Sequence, residues 1–168
     1  QCDVDVVGLS GQMIEAELLN VYVKVFRELN IEIVIKYNSR NLLRGLITEC
    51  GCKEELLGAV ITIVDKKDKV TTEEFKKKLI EVGLEEDKTN NLSLDLKELT
   101  NKFKDTNNEM LKVGLEELNN LEDYLKATDL MQYCEFSSTL ARGQDYYTGN
   151  VFEVYEKNGK LTGAIGGG

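Results

Sequence analysis

The hydrophobic period of this chain changes twice, and those changes limit the folds it can adopt. Residues 1–8 and 31–38 alternate with a period of two, whereas from 52 to 130 apolar residues recur at three and four and strand signals vanish. Strand character returns over 131–139, and alternation returns over 150–155. The pattern predicts an α+β fold with two parts. Residues 1–51 and 131–168 form an α/β core with flanking helices, and 52–130 form an inserted all-helical subdomain. At 168 residues the chain can bury one good core plus a subdomain, and not two large domains.

In the opening segment, period two places Gln1, Asp3 and Asp5 on one face and Cys2, Val4 and Val6 on the other, as in a strand with one polar face. That face is polar enough to hold a ligand, but a solvated edge strand would look similar and is the favoured reading of the residues alone. Ser10 to Asn30 reads as an amphipathic helix capped by Ser10, with Ile14, Leu18, Val21, Val25 and Leu29 as its core stripe. A strand is expected over 31–38, paired with the first. Ser39 then caps a helix carrying Leu42, Leu43, Leu46 and Ile47 that stops near Cys50-Gly51. Arg40 and Arg44 are expected on the helix surface, salt-bridged or solvated, with no catalytic role.

The helical runs of the middle part are 53–65, 71–82, 92–103 and 108–127, with Thr71-Thr72-Glu73-Glu74 as a capping signal and Gly83 as a stop. This part carries thirteen lysines against nineteen acids, so the clusters Lys66, Lys67, Lys69 and Lys76 to Lys78 read as a solvated helix face. Near the end, Asn158-Gly159 predicts a tight hairpin whose second arm is 161–165.

Composition removes several functions. With no histidine, mixed Cys/His zinc sites and Ser/His or Cys/His catalytic pairs are excluded. A formal charge of −9 argues against broad electrostatic binding of nucleic acid. The four irregularly spaced cysteines fit a reduced, cytoplasmic protein, and no apolar run is long enough to span a bilayer. A start inside an apparent strand and an end on three glycines suggest a piece excised from a longer protein.

The densest chemistry lies in Arg142-Gly143-Gln144-Asp145-Tyr146-Tyr147-Thr148-Gly149, followed by Asn150-Val151-Phe152-Glu153. A guanidinium is a planar fork matched to carboxylate or phosphate, and each tyrosine brings an aromatic wall and a hydroxyl. An Arg–Asp surface pair beside two half-buried aromatics would use the same residues.

These residues resemble a signature of histidyl-tRNA synthetases, class II ligases that join histidine to its tRNA using ATP. Seven of the eight positions of R-G-x-D-Y-Y-T-G are fixed in that signature and match. Gln144 stands where an apolar residue is usual, which bears on packing. The opening Q-C-D-x-D-x-x-G is similar to the second half of class II motif 2 in eukaryotic-type members. The closing glycines are similar to the start of a second signature, A-G-G-R-Y-D.

The resemblance implies a partial class II antiparallel sheet and a division of roles. Arg142 would be catalytic, binding the histidine carboxylate and the α-phosphate of ATP. Gln1 would meet the α-amino group, Asp5 and Tyr147 the imidazole, and Tyr146 would line the pocket, with Asp145 structural. ATP with Mg2+, the histidine tRNA and a homodimeric parent are implied as well. No magnesium ligand is singled out. In the family a helical insertion closes over the tRNA acceptor end. The alternative is a synthetase-like module that binds histidine for sensing or regulation without catalysis; intact Arg142 favours the ligase, because sensing needs no cation shared with ATP.

Overall fold

The computed structural model describes residues 2–93, 96–103, 105–142 and 147–168, with the backbone alone at 96, 97 and 100. In chain order the elements are α1 (Gln12–Glu28), β1 (Ile33–Ser39), α2 (Arg40–Glu49), α3 (Leu57–Val64), α4 (Thr72–Glu81), α5 (Glu86–Ser93), α6 (Leu96–Phe103), α7 (Glu109–Ala127), β2 (Cys134–Phe136), β3 (Asn150–Glu156) and β4 (Gly166–Gly167). The strands form one sheet in the order β2-β1-β3-β4. β3 pairs antiparallel with β1 from Ile33↔Glu156 to Ser39↔Asn150, and β4 pairs antiparallel with β3. β2 lies parallel to β1, which the long helical crossover between them permits.

Two expected strand features fall differently. Residues 2–10 form no strand and are exposed, so the partners of β1 are β2 and β3. Alternation describes which faces a segment could present; pairing requires a neighbour with open backbone groups, and β1 is already flanked on both sides. After β3 the chain turns at Gly159 (φ 70), with the Glu156 carboxylate accepting from the Asn158 and Lys160 amides. It rejoins β3 where the Ile165 amide donates to the Val154 carbonyl at 2.8 Å and pairs as a strand at Gly166–Gly167, so 161–164 is connection and the second arm is shifted toward the glycines.

α1 carries two apolar stripes. Ala16, Leu19 and Val23 are buried, whereas Val21, Val25 and Leu29 are 40%, 49% and 59% exposed. Period alone does not choose between stripes. The buried stripe is the one that Tyr22 and Phe26 pack beside, with Tyr22 set edge-on to Phe152 of β3 at 5.5 Å. Gly11 (φ 115), not Ser10, occupies the N-cap.

α2 begins as its sequence dictates: the Ser39 hydroxyl accepts from the Leu42 amide, and Leu42, Leu43, Leu46 and Ile47 are all buried. In α4 the Thr71–Glu74 capping box is formed in both directions. α7 packs on α1, α2 and β1, so the apolar cluster continues from the sheet into the helical stretch. Polar contacts lock the same interface. Tyr37 donates to Glu122 Oε1 at 2.9 Å, and Ser39 and Asn41 donate to Glu117 at 2.7 and 2.9 Å. Among the lysine clusters, Lys67 donates to the Leu92 carbonyl at 3.0 Å and Lys76 to Asn90 Oδ1 at 2.8 Å. Among the described residues no helix is long and apolar enough to cross a membrane.

Candidate active site

Arg142 is placed by a strap, residues 137–142, that leaves β2 and crosses the junction of β1 and α2. Asn38, 1% exposed at the end of β1, donates its amide to the Ser138 and Leu140 carbonyls at 3.2 and 2.9 Å. The loop after α3 holds the other side: Thr139 donates to Asp68 Oδ2 at 2.9 Å and the Ala141 amide to Asp65 Oδ1 at 3.3 Å. Arg40 completes the grip by donating Nη1 to the Arg142 carbonyl at 3.3 Å. Arg142 itself sits at φ 31, a left-handed conformation that costs a side-chain-bearing residue about 1–3 kcal/mol and persists only where the surroundings enforce it.

This corrects the expectation for Arg40. It is 7% exposed, because the strap covers the first turn of α2. Arg44, one turn on, is the surface residue and pairs with Glu54 at 2.8 Å. Asn38 and Arg40 are thus positioning residues that sequence reasoning missed. The available signal was an amide and a guanidinium bracketing a helix cap at the end of an otherwise apolar strand.

The Arg142 guanidinium reaches between two elements. Nη2 donates to the Tyr147 hydroxyl at 3.1 Å, Nη1 pairs with Glu153 Oε1 at 3.3 Å, and Cζ lies 5.3 Å from the centre of the Tyr147 ring. Burial pulls its pKa down, but the bond to Tyr147 and the charge of Glu153 outweigh this and hold it above the ordinary value. Glu153 also accepts from the Tyr155 hydroxyl; burial first, and then that carboxylate, push the Tyr155 pKa up to about 12. The closing glycines make room for all of this. A Cβ on Gly167 would strike the Arg142 guanidinium and stand 2.9 Å from the Phe152 carbonyl, and one on Gly166 would strike the Tyr22 ring.

Asp5 and Tyr147 line one cavity of about 420 Å³, together with Glu15, Tyr22, Asn150 and Gly167. Arg142 lines an adjoining concavity of about 650 Å³ that shares Asp3, Tyr22 and Gly167 with the first and continues along Val21, Val25 and Leu29. The structure therefore brings together Asp5, Tyr147 and Arg142 from opposite ends of the sequence. Gln1, Tyr146, Asp145 and Gln144 lie outside the described residues. Among the described residues no group of three or more Cys, Asp or Glu side chains could hold a metal ion.

Glu15 was legible in the sequence only as an acid early in a helix. Here burial, opposed by a bond from its own backbone amide and reinforced by the charge of Glu117, raises its carboxyl pKa. A raised folded-state pKa means that the native state holds the proton more tightly than the unfolded chain does. Its stabilising contribution is present below about pH 4.5 and is lost as pH rises through the folded value. Denaturant titrations at pH 5 and pH 8 should therefore show Glu15→Gln gaining stability relative to the unsubstituted chain as pH rises. A difference that shrinks over that interval would contradict the assignment.

A mixed sheet flanked by helices, with a polar cavity against its edge strand, is an α+β arrangement, and it has the class II synthetase-like fold of its solved relatives. The family model for histidyl-tRNA synthetase matches residues 1–168. A histidine–tRNA ligase 1 of Bacillus anthracis is 37% identical over 176 residues, which take in the whole of this chain and 41% of the relative. The chloroplastic/mitochondrial histidine–tRNA ligase of Arabidopsis thaliana is 32% identical, across the whole chain and 35% of that protein. In fold, the chain superposes on a histidyl-tRNA synthetase from Nostoc sp. PCC 7120 with a TM-score of 0.83 at 22% identity, covering 96% of this chain and 40% of that one. The chain belongs to the histidyl-tRNA synthetase family, and spans about two fifths of the length of the curated relatives it matches.

Proposed function

We propose that this chain is the histidine-binding part of the catalytic domain of a histidine–tRNA ligase, with residues 52–130 as a helical insertion. The supporting observation is the shared cavity of Asp5 and Tyr147, with Arg142 bonded to Tyr147 at its rim. An imidazole has one N–H and one bare nitrogen. Asp5 accepts from the first and Tyr147 donates to the second. Gln1 takes the α-amino group, and Tyr146 adds an aromatic wall.

Activation requires a histidine carboxylate oxygen to attack the α-phosphorus of ATP. The bond to pyrophosphate breaks as the bond to the carboxylate forms, giving histidyl-adenylate, and negative charge grows on the phosphoryl oxygens meanwhile. A cation fixed before the substrates meet offsets repulsion between the two anions and stabilises that charge. Arg142 fills this role because its backbone is held by Arg40 and its head by Glu153 and Tyr147. Magnesium travels with the nucleotide as part of the substrate. The second step transfers histidine to its tRNA and draws on the remainder of a cytoplasmic, homodimeric parent.

Most of the relatives' length lies outside this chain, so the isolated chain is expected to bind histidine without turning it over. Calorimetric titration should show histidine bound in preference to glutamine, and ATP–pyrophosphate exchange by the same sample should show no histidine-dependent turnover. Equal affinity for the two amino acids would remove the selective pocket, and turnover would overturn the division of labour. A second reading, a regulatory histidine-binding module, has one observation in its favour. The chain shares its fold, at a TM-score of 0.75 and 18% identity, with a protein described as an ATP phosphoribosyltransferase regulatory subunit/histidyl-tRNA synthetase from Bacillus halodurans C. Exchange activity of the longer protein separates the two.

A further inference from the structure

The Arg142 guanidinium is aimed by Glu153, and Glu153 is itself held by a residue outside the motifs that carry the family resemblance. Glu153 and Tyr155 stand two apart on β3, so both side chains leave the same face of the sheet. The carboxylate divides its two oxygens: Oε1 accepts from Arg142 Nη1 at 3.3 Å, and Oε2 accepts from the Tyr155 hydroxyl. A second cation stands close. Lys36 of β1 is the cross-strand partner of Glu153, and its Nζ lies over the Tyr155 ring, 5.6 Å from the centre. Side chains directly opposite each other in an antiparallel pair are near enough to form an ion pair. A Glu153 carboxylate able to turn about its last bond would therefore have two cations to choose between, and Arg142 is the one that lines the concavity beside Asp5 and Tyr147.

We propose that Tyr155 is a positioning residue for Arg142, acting through Glu153. Its hydroxyl fixes the carboxylate with Oε1 toward the guanidinium, and its ring holds the Lys36 ammonium on an aromatic face. With Nη1 tied to Glu153 and Nη2 to Tyr147, the plane of the arginine fork is set before a ligand arrives, and each of those nitrogens keeps a second N–H to offer. A planar fork binds a carboxylate best when that plane is already fixed, because less side-chain freedom is lost on binding. The inference rests on the reading of Arg142 as the partner of the histidine carboxylate, and adds a residue that touches no substrate.

The test reads the Arg142 contact apart from the rest of the site. Histidinol keeps the imidazole and the amino group of histidine but has a hydroxymethyl group in place of the carboxylate. The ratio of histidine to histidinol affinity, from calorimetric titration of the 168-residue chain, therefore reports on Arg142. The unsubstituted chain should favour histidine by roughly 10- to 150-fold, the scale of a hydrogen bond to a charged group, and Arg142→Ala should bring the ratio near one. Tyr155→Phe, which removes the hydroxyl alone, should lower the ratio by about fivefold and leave histidinol affinity unchanged. Glu153→Gln, whose amide has one oxygen for two donors, should lower it by at least as much. Adding Tyr155→Phe to Glu153→Gln should lower it little further, because the tyrosine acts through that carboxylate. A ratio unchanged in either single variant, equal weakening of both ligands by Tyr155→Phe, or a full second loss in the double variant overturns the positioning role alone. A missing preference for histidine in the unsubstituted chain, or one that survives Arg142→Ala, overturns the reading of Arg142 and this inference with it.

Discussion

Gly114→Ala should destabilise the chain by about 3 kcal/mol, the upper part of the range for forcing a methyl group into a packed interface. Gly114 lies on α7 where it crosses α2, and a Cβ there would stand 2.5 Å from Leu42 Cα and 2.8 Å from the Asn41 carbonyl carbon, with the Leu42 amide nitrogen closer still. Those atoms are helix backbone, so no rotamer change relieves the clash and the two helices must separate. The reciprocal position, Gly45 of α2, meets the Leu111 backbone at 2.7 and 2.8 Å and should cost about 2 kcal/mol as alanine. Once one substitution has parted the helices the second has less to displace, so the double variant should fall short of the sum. Gly58, in α3 with nothing within 4 Å of its would-be Cβ, provides the contrast: alanine there should be neutral or stabilising by up to about 1 kcal/mol. Urea midpoints for the set decide the matter, and equal effects at positions 58 and 114 would sink the packing argument.

The largest functional effect is expected at Arg142. In the longer ligase proposed above, Arg142→Ala should lower kcat/KM for histidine-dependent ATP–pyrophosphate exchange by about a thousandfold, the scale of losing one preorganised contact to developing charge, or about 4 kcal/mol. Lysine should rescue little, because a single ammonium cannot reach Glu153 and Tyr147 and still face two anions. An alanine variant within about tenfold of the parent enzyme would mean that the cation at the cavity rim has no part in the chemistry.

Much of this arrangement was legible in the sequence, for identifiable reasons. The Ser39 cap, the Thr71–Glu74 capping box and the stop at Gly83 (φ 100) are local devices, set by residues within one turn of each other. The grouping of Asp5, Arg142 and Tyr147 followed from a resemblance that no local pattern could supply. What stayed illegible depends on long-range choices. Alternation in the first eight residues could not say whether a partner strand was available. The α1 pattern held two stripes, and only the sheet selects one. Arg40 looked like a surface arginine because its cover comes from residues about a hundred positions away. Glu15 and Tyr155 carry no motif, and only their surroundings reveal them.

The three residues Asn38, Ser39 and Arg40 hold more than a strand end. Asn38 fastens Ser138 and Leu140, the Arg40 side chain fastens Arg142, and the Arg40 amide donates to the Gly149 carbonyl at 2.9 Å. Arg142 and Gly149, the two ends of the signature, are thus moored to one tripeptide. A change at Asn38 or Arg40 therefore reaches the residues on both sides of the signature at once, although neither residue belongs to it.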